Sequence, residues 1–301
     1  MKSVDLFCGA GGLSAGLKQA GIQVVEAYDN WLQAITTYCN NLGGNAKVLD
    51  VSDVRCTVDH ISNYKPDLIA GSPPCQDFST AGKRKEGERA NLTLSFAQIV
   101  SICLPKIVLM ENVPQVRLSN TYGNARSILK KCGYKFAELV LDASYFQIPQ
   151  SRKRFIMLAW LNNEASPKKF KEYLLQNTSP KKMTIKEYLG DEINIEYYYR
   201  HARNYSRRAI FSVFEPSPTI RGVNRPVPPN YRQNHLDSAP PTLVRPLTSF
   251  ERSRIQTFPA HWNWGSDIRD RNANVEQLIG NAVPLKLAKV IGKGIIYANS
   301  V

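Results

Sequence analysis

The chain has 301 residues, 43% of them hydrophobic, which is enough to bury one large core and a smaller one and excludes a mainly disordered state. A formal net charge of +14 favours a polyanionic partner, nucleic acid before membrane. Six cysteines (8, 39, 56, 75, 103 and 132) form no CxxC pair and four His complete no zinc-ligand spacing, so a reducing cytoplasm and no metal are expected, and no signal peptide or apolar span is evident.

In chain order, the first 160 residues alternate β-branched runs ("SVDLF", "VVEAYD", "PDLIAG", "KIVLM", "RFIMLAW") with amphipathic segments of helix length ("GLSAGLKQAG", "WLQAITTYCNNLG", "LTLSFAQIVSICL"). This pattern predicts βαβ units and a mostly parallel sheet covered on both faces, an α/β fold. The first run ends in the glycine-rich turn "FCGAGG" and opens a helix. Gly9, Gly11 and Gly12 let the backbone approach a ligand, and the helix start supplies donors. The turn suits a dinucleotide, S-adenosylmethionine or tight packing equally. Asp29, near the end of the second run, could hold ribose hydroxyls, and Asp50, after the third, an adenine amine.

The run "PDLIAG" leads into "SPPCQDFS". Pro73 and Pro74 restrict the backbone before Cys75, as a positioned thiol would need, although a cysteine can equally be a core filler. "MENVPQ" places Glu111 at the end of its strand, on the edge where open α/β sheets bind ligands; a turn-capping role is the alternative. "QSRKRF" places Arg152 and Arg154 at period two on one strand face. After Trp160 the alternation stops and a basic, Pro-rich stretch follows: residues 165 to 256 hold sixteen Lys or Arg against eight Asp or Glu. A second domain is expected from 162, and the tail "VPLKLAKVIGKGI" is apolar at helical spacing.

Together "DLFCGAGG", "GSPPCQDFS", "MENV", "QSRKRF", "RPLTSFERSRIQTFP" and "QLIGNAVP" resemble, in order, the motifs of the C5-cytosine DNA methyltransferases, and cover nearly the whole chain outside roughly 162 to 240. The resemblance implies a Rossmann-like S-adenosylmethionine-dependent sheet with a smaller target-recognition domain, divided as 1–161 catalytic, 162–245 target recognition and 246–301 catalytic. It implies Cys75 as the nucleophile on C6 of a flipped cytosine. Glu111 would hold N3 and the exocyclic amine, Arg154 would contact O2, and Arg152 would support Glu111 or nearby backbone. S-adenosylmethionine would be cradled by Phe7, Gly9, Ala10, Gly12, Asp29, Asp50, Val51, Leu92, Asn281 and Val283.

The family often has an acid where this chain has Ala27. Glu26, one place earlier, would point to the other face, leaving ribose to Asp29 and adenine stacking to Tyr28. Double-stranded DNA is the implied partner, with Gln76, Ser79, Thr219, Arg221 and Arg225 as DNA contacts, Arg221 and Arg225 reading bases, and Lys181 and Lys182 on phosphates. A monomer with a cognate restriction endonuclease is expected. An RNA cytosine methyltransferase on the same scaffold and a catalytically silent DNA-binding subunit are the alternatives. The second is disfavoured by the presence of Cys75, Glu111, Arg152 and Arg154 together.

Overall fold

A computed structural model describes residues 1–74, 91–202, 207–265 and 273–300. The chain forms two compact units: Met1–Leu141, Lys153–Thr178 and Ala288–Val301 make the first, and Asp142–Arg152 with Ser179–Leu287 the second.

The first unit begins with β1 (Lys2–Leu6), α1 (Gly12–Ala20), β2 (Gln23–Asp29), α2 (Leu32–Leu42), β3 (Ala46–Val48), α3 (Val54–Ser62) and β4 (Leu68–Gly71). It continues with α4 (Asn91–Cys103), β5 (Ile107–Asn112), α5 (Asn120–Lys131) and β6 (Tyr134–Asp142). The two-residue β7 (Gln150–Ser151) belongs to the second unit. β8 (Lys153–Leu161) and α6 (Ser166–Gln176) return to the first.

Seven strands form one sheet in the order β3-β2-β1-β4-β5-β8-β6, parallel from β3 to β5, with β8 antiparallel to β5. β4 and β5 are buried along their whole length, which explains why they read as unbroken apolar runs rather than alternating ones. Their carboxyl ends, with those of β1 to β3, form the edge that carries Gly9, Asp29, Asp50, Pro73 and Glu111.

Residues 162–178 stay with this sheet, although the change in composition at Trp160 suggested a domain boundary at 161. The apolar face of α6 explains the difference. Phe170 is fully buried with its ring 5.9 Å from that of Trp160, and Ser166 Oγ donates to Ala298 O at 2.8 Å.

The second unit contains β7, α7 (Ile185–Leu189), β9 (Tyr197–Tyr199), β10 (Ile210–Ser212), β11 (Ser217–Pro218), β12 (Arg245–Pro246), α8 (Ser249–Ile255) and α9 (Ala273–Asn281). The last helix, α10 (Leu285–Asn299), begins in this unit and joins the first from Ala288. The second unit is broken into short strands because proline cannot donate to a strand ladder. Strands of two or three residues form the sheet β10-β9-β12 and the parallel pair β11 with β7.

Side chains take over where ladders stop. Asp237 Oδ1 accepts from the N–H of Ala209 and of Ile210, both at 2.9 Å, and Arg208 Nε donates to Ile210 O at 3.0 Å. Thr184 with Glu187 and Thr248 with Glu251 form reciprocal caps at the starts of α7 and α8. Among the described residues, no helix is long and apolar enough to cross a membrane.

Candidate active site at the carboxyl edge of the sheet

Residues 7–11, directly after β1, set up the cofactor edge. Phe7 takes a left-handed φ of 62°, and Gly11, with φ 90°, caps α1 without a side-chain hydrogen bond. A Cβ on Gly11 would lie 2.7 Å from Leu42 Cδ1, so both the conformation and the space require glycine there. Leaving the helix start uncapped keeps its first N–H groups as donors.

The turn is tied to β2 by Asp29. Its Oδ2 accepts from Gly9 N–H and its Oδ1 from Trp31 N–H, both at 2.9 Å. A carboxylate offers about four lone-pair sites, so the two remaining can accept ribose hydroxyls. Burial pushes the Asp29 carboxyl up in pKa and those backbone N–H groups pull it back. β3 follows alongside, with Leu49 N–H on Asp29 O at 3.0 Å. The next residue, Asp50, is exposed and gives one oxygen to Ser52 N–H at 2.9 Å, while Val51 and Ala10 are core residues beneath. Leu92 is half-buried in the first turn of α4.

One side chain differs from expectation here. Tyr28 is fully buried in the main core, its ring 6.0 Å from His60, and presents no face to adenine. It precedes Asp29 on the strand, so alternation sends it inward. Half-buried Trp31, two residues beyond Asp29, is an aromatic ring available at this edge. The signal was an aromatic two residues after the strand-end acid, hidden because "WLQAI" also reads as a helix start. Glu26 does point away from the ligand edge, being buried with Lys47 Nζ at 2.8 Å and the Tyr64 hydroxyl on the same carboxylate.

At the next strands, Ser72 N–H donates to Leu6 O at 3.2 Å and Asn112 Nδ2 donates to Pro73 O at 3.1 Å. The end of β5 thus pins the segment that leads into Cys75. Cys75, Gln76 and Ser79 themselves lie outside the described residues. Glu111, 6% exposed, has Arg154 Nε 3.0 Å from its Oε1. The contact is an ion pair without hydrogen-bond alignment, and among the described residues Glu111 accepts no hydrogen bond, so its acceptor capacity is unspent.

Arg152 and Arg154 do not share a strand face. The chain leaves β7 at Ser151, and Arg152 belongs to the second unit. Only 2% exposed, Arg152 donates to the carbonyls of Ile220 (3.1 Å), Gly280 (3.2 Å) and Ala282 (3.0 Å). Of the two options for it, Glu111 or backbone, these contacts are the second. Arg152 thus braces backbone of the second unit, and the arginine beside Glu111 is Arg154.

Other expected residues of the second unit are built in as well. Thr219 Oγ1 donates to Ser151 O at 3.0 Å, and half-buried Arg221 donates to His201 O, while Arg225 is exposed. Lys181 Nζ lies 2.8 Å from Glu187 and Lys182 Nζ 3.7 Å from Asp142, so both phosphate candidates already face carboxylates. Asn281 is exposed at the end of α9, and Val283 is buried just after it.

The family model for the C-5 cytosine-specific DNA methylase matches residues 1–297. The chain is 48% identical over 289 residues to the Type II methyltransferase M.HgiDI of Herpetosiphon aurantiacus, covering 96% of this chain and 92% of the relative. It is 47% identical over 299 residues to the Type II methyltransferase M.HindV of Haemophilus influenzae, covering 98% and 96%. The fold is similar to that of the S. pombe Dnmt2 methyltransferase, with a TM-score of 0.74 at 20% identity, across 100% of this chain and 99% of the other. The chain that carries this sheet edge, with its Gly-rich turn, Pro-Pro segment and strand-end Glu111, thus belongs to the C-5 cytosine-specific DNA methylase family, whose members transfer a methyl group from S-adenosylmethionine to C5 of cytosine in DNA.

Proposed function

We propose that this enzyme methylates one cytosine within a specific double-stranded sequence, as the modification half of a restriction-modification system in the cytoplasm, acting as a monomer beside a cognate endonuclease. The Type II names of its relatives support that setting. The observation that carries the catalytic reading is Glu111, a buried strand-end carboxylate held by Arg154 yet accepting no hydrogen bond among the described residues, next to the pinned Pro73 segment.

The residues act in sequence. DNA would present the cytosine out of the stack, at a cost of about a few kcal/mol. The Cys75 thiolate forms a bond to C6, and the C5–C6 electron pair moves into the ring as Glu111 shares a proton with N3 and accepts from the exocyclic amine. Arg154 holds Glu111 in place and offers its remaining N–H groups to O2, where negative charge grows. C5, now nucleophilic, takes the methyl. When the C5 proton leaves, the C6–S bond breaks and the thiolate returns.

S-adenosylmethionine supplies that methyl on a sulfonium. The residues of the sheet edge fit it: Asp29 for ribose, the ring of Trp31 for adenine, Asp50 for the adenine amine, and the uncapped start of α1 and Phe7 around the remainder. The segment 179–245 would choose the site through Thr219, Arg225 and their neighbours.

Bisulfite sequencing of a plasmid carried by a host expressing the chain tests base, activity and site together. A duplex with 5-fluorocytosine at the mapped position should then trap a gel-stable adduct that is lost in Cys75→Ser. An active preparation that forms no adduct rules out the covalent route.

A further inference from the structure

Two stretches of the second unit meet through three buried side chains. The Gln256 amide donates from Nε2 to Ile279 O at 2.6 Å and Ala282 O at 3.2 Å, and its Oε1 accepts from Gln150 Nε2 at 2.8 Å. Gln150 Oε1 in turn accepts from Ile220 N–H at 2.8 Å. The two amides form one polar chain whose direction is forced, because each end meets main-chain groups of fixed polarity. Gln150 and Gln256 are both fully buried.

Arg152 bridges the same stretches a second time, through the carbonyls of Ile220, Gly280 and Ala282. The backbones also touch: a Cβ on Gly280 would lie 2.2 Å from Gly222 N and 2.3 Å from Arg221 C. At that distance neither stretch can shift without displacing the other.

We propose that Gln150, Gln256 and Gly280 are positioning residues that make residues 219–222 and the turn 279–283 one rigid piece, so that target DNA on the first and S-adenosylmethionine on the second bind cooperatively. The proposal rests on the reading that Thr219 faces DNA and that Asn281 and Val283 face the cofactor. A ligand that selects one position of the piece selects it for both stretches, and the coupling is reciprocal. Losing the amide chain leaves buried carbonyls and the Ile220 N–H without those partners and lets the two stretches move separately.

The test titrates S-adenosylhomocysteine calorimetrically into parent, Gln256→Met, Gln150→Met and Gly280→Ala, each free and saturated with a duplex carrying the site mapped by bisulfite sequencing. In the parent, duplex should tighten S-adenosylhomocysteine by about fivefold or more. In the folded variants the ratio should fall to about one, with affinity of the free protein changed less than the ratio. The glutamine variants break the polar chain and Gly280→Ala breaks the backbone contact, so a folding failure in one leaves the other route. A parent without coupling, or a folded variant that keeps the parent ratio, overturns the lock. Asn281→Ala and Val283→Asp separate the two ideas: if both bind S-adenosylhomocysteine as the parent does, the cofactor reading of the turn is wrong. If they weaken it while the ratio survives in Gln256→Met, the lock alone is wrong.

Discussion

Each unit buries a glutamate against an arginine, and the two pairs differ in what else reaches the carboxylate. Glu111 and Arg154 of the first unit lie 3.0 Å apart with side chains 8% and 12% exposed, and Glu276 and Arg252 of the second lie 2.7 Å apart at 3% and 7%. Glu276 also accepts from Ser249 Oγ at 2.8 Å and Asn224 Nδ2 at 2.9 Å, whereas Glu111 accepts no hydrogen bond among the described residues. A buried carboxylate with one oxygen tied by two hydrogen bonds holds structure, even with its other oxygen left to the arginine alone; one that accepts none keeps lone pairs for a ligand. The same contrast runs through the units. In the first, ladders hold the frame and side chains at the edge are left for chemistry. In the second, arginines and glutamines brace backbone that proline-rich sequence cannot ladder.

The largest expected effect is at the unsaturated pair. Glu111→Gln should lower turnover by about 10²- to 10⁴-fold, read as tritiated methyl transfer at saturating duplex and cofactor. Glu111→Gln running near the parent rate would erase the distinction between the pairs. Glu276→Gln should instead act on stability, costing about 3–5 kcal/mol by leaving Arg252 buried without its counter-charge, measured as the urea midpoint. Its turnover per folded molecule should stay near the parent's. An unchanged midpoint would show that Ser249 and Asn224 alone suffice there.

Below the cofactor edge, Asp5 offers a third effect. Its carboxyl is completely buried, accepts from Ser14 Oγ at 2.6 Å, and has its pKa pushed by burial from 3.8 to about 7. Between those values the folded protein keeps a proton that the unfolded chain has released, so stability falls as pH rises through this window and levels off above it. The fall is at most about 4 kcal/mol. Asp5→Asn, which keeps an acceptor for Ser14, should flatten the pH dependence of the urea midpoint; a parent equally stable at both ends of the window contradicts the buried neutral acid.

Strands and strand-end acids were legible because an apolar run and the residue that stops it are local facts. Asp29 and Glu111 stand where "VVEAYD" and "KIVLME" end. Arg152 was misread because period two assumes an unbroken strand, and the chain passes from one unit to the other between Arg152 and Lys153. Tyr28 was misread because an aromatic beside an acid says nothing of which face it takes until the register is known. The use of Arg208, Arg221 and Arg252 as braces was illegible altogether, since composition counts a cation without its partner.

That last point yields the smallest effect and limits what the net charge of +14 means for DNA. Salt dependence of binding counts cations that release counterions from phosphates, about one unit of slope each. Lys181 is held 2.8 Å from Glu187, and that lysine, with the Thr184 cap, draws the Glu187 carboxyl down to about 2. The pair is neutral as a unit, so a phosphate approaching Lys181 also meets Glu187. Lys181→Ala should therefore leave the slope of log affinity against log salt nearly unchanged. Arg225 is exposed, and Arg225→Ala should lower the slope by about one on every duplex if it meets phosphate. If it reads a base, it should instead cost about 1–3 kcal/mol on the mapped site only. Fluorescence anisotropy across a salt series, with the mapped duplex and a scrambled one, separates the cases. A slope that drops equally for Lys181→Ala and Arg225→Ala would mean that carboxylate pairing does not withdraw a lysine from DNA here.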